Sequence, residues 1–223
     1  MFSGGIMAEA ERSPWLRDDG LDELRGEIAR CRLCRDAPLK GVTDRLPHEP
    51  RPVVVISTKA RILIAGQAPG LRVHETGIPF NDASGDRLRQ WLDVDRQTFY
   101  DPERFAIVPM GFCFPGYDDK GSDLPPRREC APLWRERVMA AMPQVELILA
   151  VGQYAQAFHL GERRHKTMTE TVENWRSYLH ANSGPGILPL PHPSWRNTGW
   201  LKKNPWFTEE LLPVLRQHVE MRI

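Results

Sequence analysis

The chain has 223 residues, 41% hydrophobic and 26% charged, a size and balance that suit one α/β domain able to bury a full core. Thirty basic residues against 29 acidic leave a net charge of +1, which excludes a bulk polycation; any contact with nucleic acid must come from a local patch. No run of eighteen apolar residues occurs, so no membrane span is expected, and the opening MFSGGIMAEAERSPW lacks a basic-then-apolar signal layout, so a cytoplasmic protein is expected.

In chain order, residues 1–24 are expected to be an N-terminal extension, partly disordered, with Met7 as an alternative start; residues 25–223 are expected to form a single domain. Residues 39–59, with three prolines and several charges, read as a loop leading to the first core strand. Continuous apolar runs at 60–66, 105–110, 147–152 and 187–191 predict buried strands of a sheet covered on both faces. Helices are predicted between them. One is capped by Ser84 and places Leu88, Trp91 and Leu92 on one face. Others follow at 133–142 and 153–160, with a terminal helix at 209–221 that carries Pro213 near its start. The order predicts a three-layer α/β/α sandwich around a central four-stranded, mostly parallel sheet. Ligands of such sheets bind beyond the carboxyl ends of the strands, here Gly66, Met110, Gly152 and Pro191.

The loop after the first strand, Gly66-Gln67-Ala68-Pro69-Gly70, lacks the spacing of a dinucleotide fingerprint and the Gly-Lys-Ser/Thr of a P-loop. It is either an ordinary Gly-Pro turn or a cradle for a flat ligand. Gly66 and Gly70 let the backbone come close, Gln67 offers donor and acceptor, and Phe80 can stack on a planar ring. His192 opens a turn directly after the fourth strand, as a structural histidine or as a donor at the ligand-binding end. Further on, Trp195, Arg196, Trp200, Lys202 and Lys203 mix charge with aromatic rings; this suits a nucleic-acid strand, or a solvated loop with two buried tryptophans. The four cysteines form a C-x2-C pair, Cys31 and Cys34, and a second pair, Cys113 and Cys130, with sixteen residues between. Four thiolates can hold a [4Fe-4S] cluster or a zinc ion, and buried cysteines can also act as small apolar residues.

These residues carry a resemblance. The Gly66–Gly70 loop, then Thr76-Gly77-Ile78-Pro79-Phe80 and Ser84-Gly85, resembles motif A of the uracil-DNA glycosylase superfamily, with the Gly-to-Phe spacing of its iron-sulfur family 4 and an alanine at 68 as in family 5. His192-Pro193-Ser194 followed by Arg196-Asn197-Thr198-Gly199 resembles motif B. The resemblance spans roughly residues 25 to 215. It implies the uracil-DNA glycosylase-like fold and a monofunctional DNA glycosylase of base excision repair. Such an enzyme hydrolyses the N-glycosidic bond of uracil or a related damaged base and leaves an abasic site. It further implies a structural [4Fe-4S] cluster on Cys31, Cys34, Cys113 and Cys130, with zinc as the alternative. By the same resemblance Phe80 stacks on the base, backbone amides at Gln67 and Ala68 bind a base oxygen, and His192 donates to uracil O2. Ser84, Gly85 and Ser194 hold phosphates, joined in DNA binding by Arg196, Asn197, Lys202 and Lys203.

Two positions depart from the pattern. Ala68 stands where family 1 has its water-activating aspartate, so His74 or Glu75 is expected to orient the water. Pro109-Met110-Gly111 stands where the family has its base-reading asparagine, so Met110 and Asn81 are expected at the base instead. The run Arg163-Arg164-His165 resembles the loop of a subgroup that links covalently to its product site; phosphate contact is the expected use. The expected partner is DNA containing uracil or another damaged base, the expected state a monomer, and the second expectation a catalytically weak DNA-damage-binding protein with the same pocket and cluster.

Overall fold

A computed structural model describes residues 20–179 and 184–223. Four short strands, β1 (Ile62–Ala65), β2 (Phe105–Ile107), β3 (Leu147–Val151) and β4 (Gly186–Leu190), lie in the order β2-β1-β3-β4, and every pairing between them is parallel. Val55 adds a single antiparallel bridge at the β2 edge, exchanging both backbone hydrogen bonds with Ile107 at 2.8 Å. The strands fall on the four predicted apolar runs, and the architecture is the α/β/α sandwich expected.

Strand side chains alternate between two buried faces. Ile62, Ile64 and Leu149 enter one core, while Leu63, Ala65 and Ile148 enter the other. That double burial is why the runs are continuous rather than alternating. The second core is covered by α1 (Asp22–Ala29), with α2 (Leu33–Asp36) following it, and by two later helices. The next helices are α3 (Leu71–Thr76), α4 (Ala83–Leu92) and α5 (Arg96–Phe99). Then come α6 (Cys130–Ala140) and α7 (Gln153–Leu160), which complete the cover of the second core through Trp134, Val138, Ala155 and Leu160. After α8 (Met168–Glu173), α9 (Arg176–Leu179) and α10 (Thr198–Lys203), the chain closes with α11 (Leu212–Glu220). α4 and α11 pack on the first face through Leu88, Trp91, Leu92, Leu215 and Val219. Most of the expected N-terminal extension lies outside the described residues, and α1 crosses the boundary expected at residue 24.

Three helix starts differ from expectation. α4 is capped by Asp82, whose Oδ1 accepts from the Gly85 N–H at 2.9 Å, and not by Ser84, which lies in the first turn. α6 begins at Cys130, three residues early. The terminal helix is preceded by a widened π turn over Phe207–Leu211; Pro213 has no N–H to return to the carbonyl four residues back, so a regular α turn cannot close there.

Arg135 of α6 is buried and donates to the Val108 carbonyl at 2.7 Å and the Pro109 carbonyl at 3.3 Å, just past β2. Its other terminal nitrogen meets His159 Nε2. Burial, then the Arg135 charge, hold the His159 imidazole down at about 3, against an ordinary value of 6.5. Between those values the unfolded state binds the extra proton, so stability falls as pH drops from about 6.5 toward 3. His159→Gln keeps an acceptor for Arg135 and should flatten the decline of the melting temperature over that window; an identical slope in both proteins would contradict the role given to His159.

Gly85 is a second point of constraint. A Cβ at this position would lie 1.8 Å from the Phe80 carbonyl oxygen. Gly85→Ala must push the turn before α4 away and should cost about 1–3 kcal/mol, a fall of several degrees in melting temperature; a midpoint within one degree of wild type would contradict the close approach.

Candidate active site

The carboxyl ends of β1 and β4 open into one cavity of about 540 Å³, lined by the Gly66–Gly70 turn, Phe80, Ser84, His192, Ser194 and Arg196 among others. The β1 turn is pinned from below: the Met110 and Gly111 N–H groups donate to the Gly66 and Gln67 carbonyls, both at 2.9 Å. Gln67 Nε2 donates to the Leu124 carbonyl at 3.4 Å, tying the turn to the loop after β2.

Phe80 is held unusually. Its φ is +52°, a left-handed value that costs a non-glycine residue about 1–3 kcal/mol. Its carbonyl accepts from Tyr100 Oη at 3.1 Å and from Arg89 Nη1 at 3.5 Å, and its ring meets Phe99 edge-on at 6.1 Å. A Cβ on Gly66 would sit 3.4 Å from Phe80 Cζ, so the ring lies against bare backbone. The opposite loop is tied to the same helix. Arg87 of α4 donates to the Ser194 carbonyl at 2.8 Å and to Thr198 Oγ1 at 3.2 Å. Asn197 Nδ2 donates to the His192 carbonyl at 2.7 Å, so Asn197 braces the turn from within. Burial lowers the His192 pKa, while the Asp82 charge opposes that shift, leaving a neutral imidazole near pH 7.

Not every expected residue reaches the cavity. His74 and Glu75 lie on α3, which sends Val73 into the cavity instead. The His74 ring packs at a tilt against His48, centroids 4.2 Å apart, its Nδ1 has no hydrogen-bond partner among the described residues, and burial followed by the His48 charge lowers its pKa. Glu75 is exposed, with its carbonyl accepting from Arg51. Asn81 turns away to accept from Arg96 at 3.1 Å. Met110 is core, packed with Phe112 and Val108, and Pro109 faces the cavity in its place. Lys202 and Lys203 are exposed on α10. His165 lies outside the cavity lining and pairs with Asn174 at 2.8 Å. Trp195 lines the cavity while 74% exposed, and the Arg196 guanidinium lies 5.9 Å from its ring.

Two carboxylates in the lining went unread in sequence, Asp82 and Asp123. Asp82 was legible in principle, as a helix cap two residues before Ser84. Asp123 sits in the Gly- and Asp-rich run after Cys113, where composition signals only a turn.

The four cysteines form no disulfide and surround a second, small cavity together with Phe112, Arg127 and Trp134. Among the described residues no three His, Cys, Asp or Glu converge tightly enough to grip a single ion. Each sulfur nevertheless meets an N–H. Cys31 accepts from Trp134 Nε1 at 3.4 Å, Cys130 from the Phe112 N–H at 3.3 Å, Cys34 from the Arg127 guanidinium and Cys113 from the Arg51 backbone. Burial pushes the Cys113 thiol up to about 12 and raises Cys34 and Cys130 as well. Four sulfurs spaced around a void, each with a donor, fit a multi-atom iron-sulfur cluster better than one tetrahedral ion with bonds of about 2.3 Å.

Comparison with known proteins finds a matching family and a similar relative. The model of the uracil DNA glycosylase superfamily matches residues 53–216. The type-4 uracil-DNA glycosylase of Sulfurisphaera tokodaii is 22% identical over 182 residues, covering 79% of this chain and 75% of that protein. The family match takes in both loops of the cavity and the sheet between them, and on it the chain belongs to the uracil DNA glycosylase superfamily.

Proposed function

We propose that this protein is a monofunctional DNA glycosylase that hydrolyses the bond between deoxyribose C1′ and uracil, or a related damaged base, leaving an abasic site for base excision repair. One observation carries the reading: Gln67, Phe80 and His192, from three separate stretches of chain, line one cavity at the ligand-binding end of the sheet. A base inside a duplex cannot be reached there and must leave the stack. The extruded ring stacks on Phe80, with its oxygen at the backbone N–H groups of the Gln67 turn. As the C1′–N bond breaks, its electron pair moves onto the base. The neutral imidazole of His192 donates to O2 where that charge builds, at no cost in proton transfer. Water then bonds to C1′, oriented by Asp82, which has one oxygen committed to the Gly85 N–H and the other free to accept. The proton that water loses passes through this carboxylate to solvent, and the base anion takes up a proton from solvent as it leaves, so the products are the neutral base and the abasic sugar. Ser84, Ser194, Arg196, Lys202 and Lys203 supply phosphate contacts, which position the strand without reading it.

Cys31, Cys34, Cys113 and Cys130 would hold a [4Fe-4S] cluster whose contribution is structural. It ties the α1–α2 segment to the loop after β2, and base release needs no electron. Among the described residues no helix is long and apolar enough to cross a membrane; we place the enzyme with chromosomal DNA in the cytoplasm, as a monomer. Ala68, which brings no carboxylate to the cavity, favours as a second reading a damage-binding protein of weak hydrolysis.

Alkali treatment of a uracil-containing oligonucleotide after incubation separates the two readings: scission marks an abasic site, and a mobility shift without scission supports the binder. His192→Ala should lower single-turnover base release by about 10²-fold or more; an unchanged rate would contradict the role given to His192. The purified protein should be brown, absorbing broadly near about 400 nm through thiolate-to-iron charge transfer, and Cys113→Ser should lose that absorbance. A colourless protein with one zinc per chain would overturn the cluster.

A further inference from the structure

The cavity departs from the family pattern where the base is read. Neither Met110 nor Asn81 faces it, so no carboxamide stands at the end of β2 to recognise a base edge. The wall beside the β1 turn is instead built by the loop between Cys113 and Cys130. That loop closes on itself through an antiparallel bridge, Tyr117 to Asp123, and both residues line the cavity. Asp123 stands next to the turn. One of its carboxylate oxygens lies 3.9 Å from where a Cβ on Gly70 would be, and the neighbouring Leu124 carbonyl accepts from Gln67.

A carboxylate in a cavity meant for DNA needs a reason, since it repels phosphate. Asp82 has one, as the cap of α4. Asp123 caps nothing and accepts no hydrogen bond among the described residues. Crowding by the cavity wall raises its pKa, Arg196 opposes that and Asp82 adds to it. It is thus an acceptor without a protein donor, placed beside a turn whose backbone N–H groups are donors. That pair complements an edge with a ring N–H next to a carbonyl, which uracil and hypoxanthine present. Cytosine and adenine present a bare ring nitrogen beside an amino group, and so clash with both halves.

We propose that Asp123 is the base-reading residue: its carboxylate accepts the ring N–H of an extruded deaminated base while the Gln67–Gly70 turn donates to the adjoining carbonyl. The residue thereby separates each deaminated base from its parent, uracil from cytosine and hypoxanthine from adenine. The inference rests on the glycosylase reading for its substrate, but its geometry concerns recognition alone.

Base release and equilibrium binding should be measured together, on matched oligonucleotides carrying uracil or cytosine, for wild type, Asp123→Asn and Asp123→Leu. Asparagine can still accept an N–H and can turn its amide to donate. It should reduce uracil release less than leucine does and narrow the preference for uracil over cytosine in both assays. Leucine should lower uracil release and uracil-specific binding by about 10- to 100-fold. Melting temperatures near wild type would establish that both variants fold. Equal losses in the two variants with an unchanged uracil-to-cytosine preference would assign Asp123 to water and overturn the proposal, as would no effect in either. Binding without release by wild type would instead overturn hydrolysis, and the binding preferences would still decide the role of Asp123.

Discussion

The cavity depends on one close approach: Phe80 fits between two glycines. Its ring lies on the bare backbone of Gly66, and its carbonyl sits where any side chain at Gly85 would be. The left-handed backbone at Phe80 is unfavourable alone, and the Tyr100 and Arg89 hydrogen bonds hold it in place. The consequences run outward. The turn that presents the ring ends in Asp82, Asp82 starts α4, and α4 carries Arg87 to the Ser194 carbonyl. Two loops more than a hundred residues apart in sequence are therefore registered against each other by a single helix. Strain concentrated at the site and offset by the surrounding packing is the pattern expected where geometry must be fixed before a ligand arrives.

The cysteine region extends the same logic. Cys31 and Cys34 sit near the start of the fold, and Cys113 and Cys130 bracket the loop that carries Tyr117 and Asp123 to the cavity. In the reading proposed here, a cluster on these thiols closes both ends of that loop, so a structural group outside the base cavity helps set its wall. Arg135 works from the other side, holding the carbonyls of Val108 and Pro109 where β2 runs out toward the cavity.

Much of this was legible in the residues. Strands buried on both faces write themselves as continuous apolar runs; β1, β2 and β3 fall inside the runs found, and β4 starts one residue before its run, at Gly186. Gly66 and His192 stood out because each follows a buried strand at the ligand-binding edge, and Phe80 because its ring can stack on a flat ligand; the roles expected of all three came from the resemblance to the glycosylase motifs. What was missed turns on direction. Successive residues of α3 point about 100° apart, so Val73 enters the cavity while His74 packs on His48 and Glu75 meets solvent. Ser84 and Asp82 both have capping chemistry, and only the backbone geometry chooses between them. Asn81 is claimed by Arg96, and Asn197 by the His192 carbonyl; sequence spacing shows neither partner. Asp123 belongs to a turn-rich stretch without periodicity, so nothing local foretold its place beside Gly70.

The central claim is that this cavity receives a nucleobase drawn out of the helix and laid on Phe80. Fluorescence of 2-aminopurine placed next to uracil in a duplex reads that event directly, because the probe brightens when its neighbour leaves the stack. Wild-type protein should raise the signal, and Phe80→Ser should bind the same duplex with little or none of the rise. A wild-type complex that forms without brightening, or a serine variant that brightens equally, would contradict an enclosed, extruded base.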